Sequence, residues 1–431
     1  MSTPASLYRN AIDLNRYSNS VSRRIINAYV EIILDATTQL QAIGDLEESF
    51  KAARLRSILA QLKESLATWA GDSSQLTADE LQGLAVLQSE FVEEQLRKAL
   101  PAGVASSVNT VEISPQFAQS VVMADPTQIN VVALSDDLTA AVQGARQTFS
   151  LTATQGTAIT LPNGQVVNKA FRGLAEDQAA LFGQVVRQGL LTGETTDQIS
   201  RRLKGRLKFG DIGPLSVKQL QQAGGQLTNM ANSQVQALVR TSINQVANAA
   251  SQQFYEANQD ITEKYKYVAT LDSRTSAICR SLDGKEFEYG KGPLPPQHFN
   301  CRSTTVPVIN YEALGMTPPT EGKRSSQGGN VPAGMNYGPW LAKPLKGETG
   351  NQHMLRKAEV FGFSGKRQKK ETLENFYKRV RRSPGHKRAL YFDRLTKKYG
   401  ADDAIRKFVR EDGSELSLDQ LRRRYGAIET R

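Results

Sequence analysis

Between Arg16 and Leu100 the apolar positions recur at three- and four-residue steps. Ile25, Ile26, Tyr29, Ile32, Ile33, Ala36 and Leu40 form one stripe, which predicts an amphipathic helix. Glu48 to Trp69 predicts a second helix. The stretch GDSSQ at 71–75 reads as a break. Thr77 and Glu80 have the spacing of a capping box, which would start a third helix ending near Leu100 before Pro101. Residues 1–100 are therefore expected to be an antiparallel bundle or an elongated helical arm. Residues 101–169 thin out in charge and read as a connecting region. In it, β-branched residues on both sides of Pro162-Asn163-Gly164 predict a hairpin.

Helix returns from Phe171 to Leu191. Gly193 marks a stop, and Thr195 with Gln198 marks a capped start. Gly224-Gly225 is a second break, followed by a long helix from Gln226 to Asn258. Its stripe is Val235, Leu238, Val239, Ile243, Val246, Ala250 and Phe254. After Asp260 the period shortens and a turn stands at Asp283-Gly284, which predicts a small α+β module with short strands. Residues 311–350 are rich in Gly, Pro, Ser and Asn and read as a linker or a surface-hugging segment. Residues 351–431 read as a compact basic helical unit whose last helix starts at Ser417 and Gln420 and stops at Gly426. The expected fold class is mainly α with a small α+β module.

Charge sharpens this division. Residues 351–431 carry 22 Lys/Arg against 11 Asp/Glu, whereas the first 350 residues carry 32 of each, so the whole net charge of +11 resides in the last unit. Its clusters are Lys366, Arg367, Lys369 and Lys370, then Lys378, Arg379, Arg381 and Arg382, then Lys387 and Arg388, then Arg422, Arg423 and Arg424. Such clusters suit non-specific contact with DNA phosphates, since each neutralised phosphate releases a counterion. The interleaved aromatics Phe376, Tyr377, Tyr391, Phe392, Tyr399, Phe408 and Tyr425 have helical spacing, which favours core packing over base stacking. No run approaches the roughly 18–20 apolar residues of a membrane span, so no membrane partner is expected. The N-terminus lacks a basic segment followed by an apolar one, as a secretory signal would have. Two cysteines in 431 residues do not make a disulfide framework, which points to synthesis in a reducing cytoplasm.

One stretch concentrates the scarce chemistry. PPQHFNCR, residues 295–302, contains one of three histidines and one of two cysteines. Upstream stand Arg240-Thr241 and Asn244 on the long helix, then Asp272, Arg274 and Cys279 in ATLDSRTSAIC, then Asp283-Gly284 in LDGKEF. His298, Asn300, Cys301 and Arg302 complete the set. In this order the elements resemble the phage Mu F-like minor head proteins, a head-morphogenesis family found beside the portal of tailed bacteriophages. The resemblance covers residues 170–310. It departs from the family pattern at Ser303, which stands where a second cysteine is frequent, and at Phe299 between His298 and Asn300. It implies a structural virion protein without enzymatic activity, associated with portal protein and with capsid or scaffold proteins. It also implies a role in head assembly, DNA packaging or delivery. A Mu F-like module carrying a C-terminal nuclease or toxin-type effector is the alternative.

Chemically, three readings of the cysteines are open. Cys279, His298 and Cys301 could hold zinc, with Asp272 or Asp283 as fourth ligand. They could instead be packed as small apolar residues, with Asp272, Arg274 and Arg302 forming an ion-pair network around them. A Cys279–Cys301 disulfide is the third. No paired carboxylates accompany His298 at nuclease spacing, and no phosphate loop or nucleophile elbow is present. His353 and His386 read as ordinary surface residues.

Overall fold

The computed structural model describes residues 3–44, 48–114, 149–151, 161–208, 217–317 and 322–428. Helix α1 (Thr3–Ala42) and helix α2 (Glu48–Ala99) run antiparallel. Their cross-contacts march in opposite directions: Asn10 to Gln88, Tyr17 to Glu80, the Trp69 indole to the Ile25 carbonyl, and Arg54 to Gln39.

The break expected at GDSSQ does not occur, and α2 continues through it for 52 residues. Ser74 Oγ donates to the Ala70 carbonyl at 2.7 Å and Thr77 Oγ1 to the Ser73 carbonyl at 2.7 Å. The hydroxyls thus bond backward within a helix instead of capping a new one. Ser73, Ser74 and Thr77 are buried, and Glu80, the expected capping partner, is taken by Tyr17 and Arg24 from α1.

Beyond α3 (Ala102–Ala105), the short strand β1 (Val111–Ile113) pairs in parallel with β2 (Phe149–Leu151). Of the expected hairpin, only the turn is described. Leu161 N donates to the Gln165 carbonyl, but the chain then enters helix α4 (Val167–Leu191) rather than a strand. Residues 152–160, its other arm, lie outside the described residues. Val166, Val167 and Phe171 are buried, and that burial overrides their β preference. Helix α5 (Thr196–Lys204) begins at the Thr195–Gln198 capping box, followed by α6 (Val217–Ala223) and α7 (Gln226–Glu256). The Gly224-Gly225 break permits a close crossing, since a Cβ on Gly225 would lie 2.5 Å from Gly205 N.

Helices α1, α2, α4, α5 and α7 share one apolar core containing Tyr29, Trp69, Phe171, Phe182 and Phe254. Trp69 lies between Tyr29 and Phe171, at ring separations of 5.4 and 6.0 Å. Residues 1–100 are therefore not a free arm, because their apolar faces are closed by the helices of the following region.

The α+β module follows. Strand β3 (Thr262–Val268) is the centre of an antiparallel sheet, flanked by β4 (Glu286–Phe287) and β5 (Thr304–Ile309), and α8 (Ala277–Leu282) crosses between β3 and β4. The expected linker at 311–350 is largely structured instead. It forms the hairpin β6 (Lys323–Ser326) and β7 (Gly329–Pro332) and then helix α9 (Tyr337–Ala342). Val331, Tyr337, Trp340 and Leu341 are buried in a second core with Leu271 and the C-terminal helices. Few but large apolar residues hold it there, outweighing a composition typical of loops. Those helices are α10 (Gly350–Val360), α11 (Leu373–Arg382), α12 (Pro384–Tyr399), α13 (Ala401–Arg406) and α14 (Leu418–Tyr425). Phe376, Tyr391, Phe392 and Phe408 are buried, and the last helix has its Ser417–Gln420 capping box and the stop at Gly426. Mainly α with a small α+β module describes the fold.

Ala78→Pro distinguishes a continuous α2 from a capped restart. At the first position after a Thr77 cap, proline would be tolerated. Inside an unbroken helix it costs about 3 kcal/mol or more, so chemical denaturation should show a loss of that size.

Candidate functional site

The site is assembled where α7, the end of β3, α8 and the 295–302 loop meet. Ser276 caps α8, its Oγ accepting from Cys279 N at 3.4 Å, and so places Cys279 on the first turn. The loop that carries Cys301 is fastened to α7. Asn300 has φ +61°, a left-handed conformation that asparagine tolerates better than most residues. Its N–H donates to Thr241 Oγ1 at 3.0 Å, and Arg240 Nη1 donates to its Oδ1 at 2.8 Å. One turn on, Asn244 Nδ2 donates to the Ser303 carbonyl at 2.9 Å. The Arg-Thr pair and Asn244 thus hold the loop in place.

Cys279, His298 and Cys301 converge, with their donor atoms all within 4.8 Å of one another. The free thiol sulfurs of Cys279 and Cys301 are 3.7 Å apart, and Cys279 Sγ is 3.4 Å from His298 Nε2. His298 Nδ1 lies 2.8 Å from the Phe299 carbonyl, which can only accept. That contact puts a proton on Nδ1, so Nε2 is the nitrogen that faces the sulfurs. Nε2 also lies 2.8 Å from Ser276 Oγ, and Tyr267 OH lies 3.3 Å from Cys279 Sγ. The hydrogen bond from Cys279 pulls the Cys301 thiol well below its usual pKa, with His298 adding to the effect, and Cys279 itself is pushed up. His298 is held above its usual value by its interaction with Cys301. Two sulfurs and an imidazole so disposed can hold a metal ion, and Ala269, Ile278, Leu282 and Phe287 pack against the cysteines.

Neither expected carboxylate is free to be the fourth ligand. Asp272 accepts both arms of the Arg302 fork, at 2.5 and 2.9 Å, and also Thr275 Oγ1 and Arg274 N. Burial pushes its carboxyl up, but Arg302 and then Arg274 outweigh it and hold it below the usual range. Asp283 is fully enclosed. It accepts from Ala269 N and Tyr337 N at 2.7 Å each, and from both Nη atoms of Arg324 at 2.8 and 3.2 Å. Gly284 follows with φ +77°, where a Cβ would lie 2.4 Å from the Asn336 side chain.

Arg324 had no signal in the sequence, because it sits in the segment read as a linker. Arg280, beside Cys279, was also missed. It is buried, donates to the Val360 carbonyl and Glu415, and lies over the rings of Tyr337 and Phe361.

The C-terminal cations divide into two groups. Lys366, Arg367, Lys369, Lys370, Lys378, Arg381, Arg382, Arg422, Arg423 and Arg424 are exposed. Arg379 forks onto Glu371 and reaches the Lys366 carbonyl, which ties the 366–370 loop to α11. Lys387 is half-buried. Arg388 is a structural group and not a phosphate contact: it donates to the Phe361 and Leu416 carbonyls and pairs with Glu415. His353 Nε2 contacts the Leu341 carbonyl at 2.9 Å and is half-buried rather than an ordinary surface residue.

Residues 181–306 match the family described as Phage Mu protein F like protein, a phage head morphogenesis family. The match begins within α4 and ends within β5, and so contains every element that builds the Cys-His-Cys group. No curated protein and no solved structure matches the chain. Among the described residues no helix is long and apolar enough to cross a membrane.

Asp283→Asn should lower stability by about 3–5 kcal/mol, because it strands the buried Arg324 guanidinium. Thermal or chemical unfolding should show that Asp283→Asn combined with Arg324→Met recovers part of the loss. A loss in the double variant equal to the sum of the Asp283→Asn and Arg324→Met losses would show that the pair is not coupled.

Proposed function

We propose that this chain, with its Mu F-like segment, is a structural, non-enzymatic component of a tailed-phage head. In this reading it resides in the virion next to the portal and contacts DNA non-specifically through its C-terminal unit. The observation that carries the reading is the family match across 181–306, a stretch fused by common cores to what precedes and follows it. Portal protein and capsid or scaffold proteins are the partners this family role calls for. The exposed cations of the 366–370 loop and α11 support the DNA contact. Three of the unit's carboxylates, Glu371, Asp393 and Glu415, and Glu348 just before it are engaged by Arg379, Lys357, Arg388 and Arg356, which supports a binding unit over a nuclease payload.

We also assign zinc to the Cys-His-Cys group, as a structural clasp between α8 and the 295–302 loop. Tetrahedral zinc, with Zn–S of about 2.3 Å and Zn–N of about 2.0–2.1 Å, sets sulfurs about 3.8 Å apart and sulfur and nitrogen about 3.5 Å apart. The observed 3.7 and 3.4 Å fit these edges. Cys279, His298 and Cys301 would bind the ion, leaving the fourth position to a donor other than Asp272 or Asp283.

Mass spectrometry of purified particles, with cross-linking, should find the protein linked to the portal. Its absence from mature particles would reduce the role to transient assembly. In gel-shift titrations of the full chain, affinity should fall as salt rises. Lys369→Ala with Lys370→Ala should flatten the log–log salt slope by about 2. Binding that ignores salt would oppose the DNA assignment. Protein purified without chelator should hold about one equivalent of zinc, and Cys301→Ser should lose it. Less than about half an equivalent in the unaltered chain rules the clasp out.

A further inference from the structure

A second feature of the α+β module is independent of both the basic C-terminal unit and the cysteines. A cleft of about 220 Å³ opens between the third and fourth turns of α1 and residues at the ends of β3 and β5 and in β6. Three arginines line it, Arg274, Arg302 and Arg324, and no carboxylate does. Arg324 is committed to Asp283, and Arg302 forks onto Asp272 behind the wall. Arg274 differs from both. Its side chain is 79 % exposed and makes a single long ion pair, 3.5 Å, to the same Asp272.

Arg240 stands close by. Its Nη groups reach only the amide oxygens of Asn300 and Asn19, and its Nε is buried without a partner. Among the described residues Asp272 is the carboxylate that pairs with Arg302 and Arg274, and Arg240 pairs with none, so the cluster is richer in cations than in acids. Burial, and then repulsion from Arg302 and Arg274, lowers the proton affinity of Arg240, as expected of a cationic cluster short of anions. On the opposite wall, the Asn15 side-chain oxygen is buried without a partner.

We propose that this cleft is an oxyanion site that takes a phosphate ester, with Arg274 as the principal ligand and Arg302 beside it. Arginine suits a tetrahedral, multiply charged oxyanion because its planar fork can donate two parallel bonds. The volume exceeds that of one phosphate group, and Ala11, Ile12 and Val268 provide an apolar wall for the group that carries it. The phosphate could belong to a small molecule or to a nucleic-acid backbone.

Calorimetric titration of the full chain with pyrophosphate tests the site. Binding is expected, weakened at least about tenfold in Arg274→Ala and unchanged in Lys369→Ala with Lys370→Ala. Arg274 is exposed, so thermal unfolding of its variant should match the unaltered chain, and Arg274→Lys should retain part of the affinity. Competition by a short single-stranded oligonucleotide would assign the site to backbone phosphate, and lack of competition to a small phosphate ester. Absence of pyrophosphate binding at millimolar concentration overturns the proposal. So does equal binding by Arg274→Ala, or a loss confined to the lysine variant.

Discussion

The carboxylate of Asp283 is the constraint on which the α+β module and everything after it depend. Within one hydrogen-bond shell it gathers the end of β3 through Ala269 N, hairpin β6–β7 through Arg324, and helix α9 through Tyr337 N. A carboxylate enclosed this completely must be given this many donors, or its desolvation outweighs what it gains. Satisfying it forces three chain segments, otherwise distant in sequence, to one point. Gly284 completes the constraint, because Asn336 packs where a side chain would otherwise project.

A similar logic runs through the other buried charges. Arg280 and Arg356 are each nearly enclosed, and each spreads its donors over backbone carbonyls and one glutamate while lying over aromatic rings. Arg280 joins α8 to the C-terminal helices, so the Mu F-like segment and the basic unit are bound by a shared arginine as well as by apolar contact. Part of the C-terminal excess of positive charge is therefore internal fastening, and only the exposed remainder is available to a polyanion. Arg274 and Arg240 stand apart, since the single acid near them is already taken.

Local rules written over a few residues were legible. The stripes of α1 and α7, the capping boxes at Thr195 and Ser417, the stop at Gly426 and the turn at Asp283-Gly284 all depend on contacts within one or two turns of chain. Where the same residue types had a tertiary option, local reading failed. Ser74 lies in the expected break and Thr77 carries the cap signal, but both are buried and helix α1 takes Glu80, so they bond backward and α2 runs on. Val166 and Val167 follow a real turn, but both are buried and the helix starts at Val167.

By itself the sequence determined which residues make the site. Cys279, His298, Asn300 and Cys301 were evident from their scarcity and order, and the mainly helical class from periodicity. Only the tertiary structure decided what Asp272 and Asp283 do. A carboxylate looks the same in sequence whether it faces a metal or an arginine, and the choice belongs to Arg302 and Arg324, 30 and 41 residues away. It also decided that residues 323–342 fold onto the second core, because burial of Tyr337 and Trp340 depends on helices that come later in the chain.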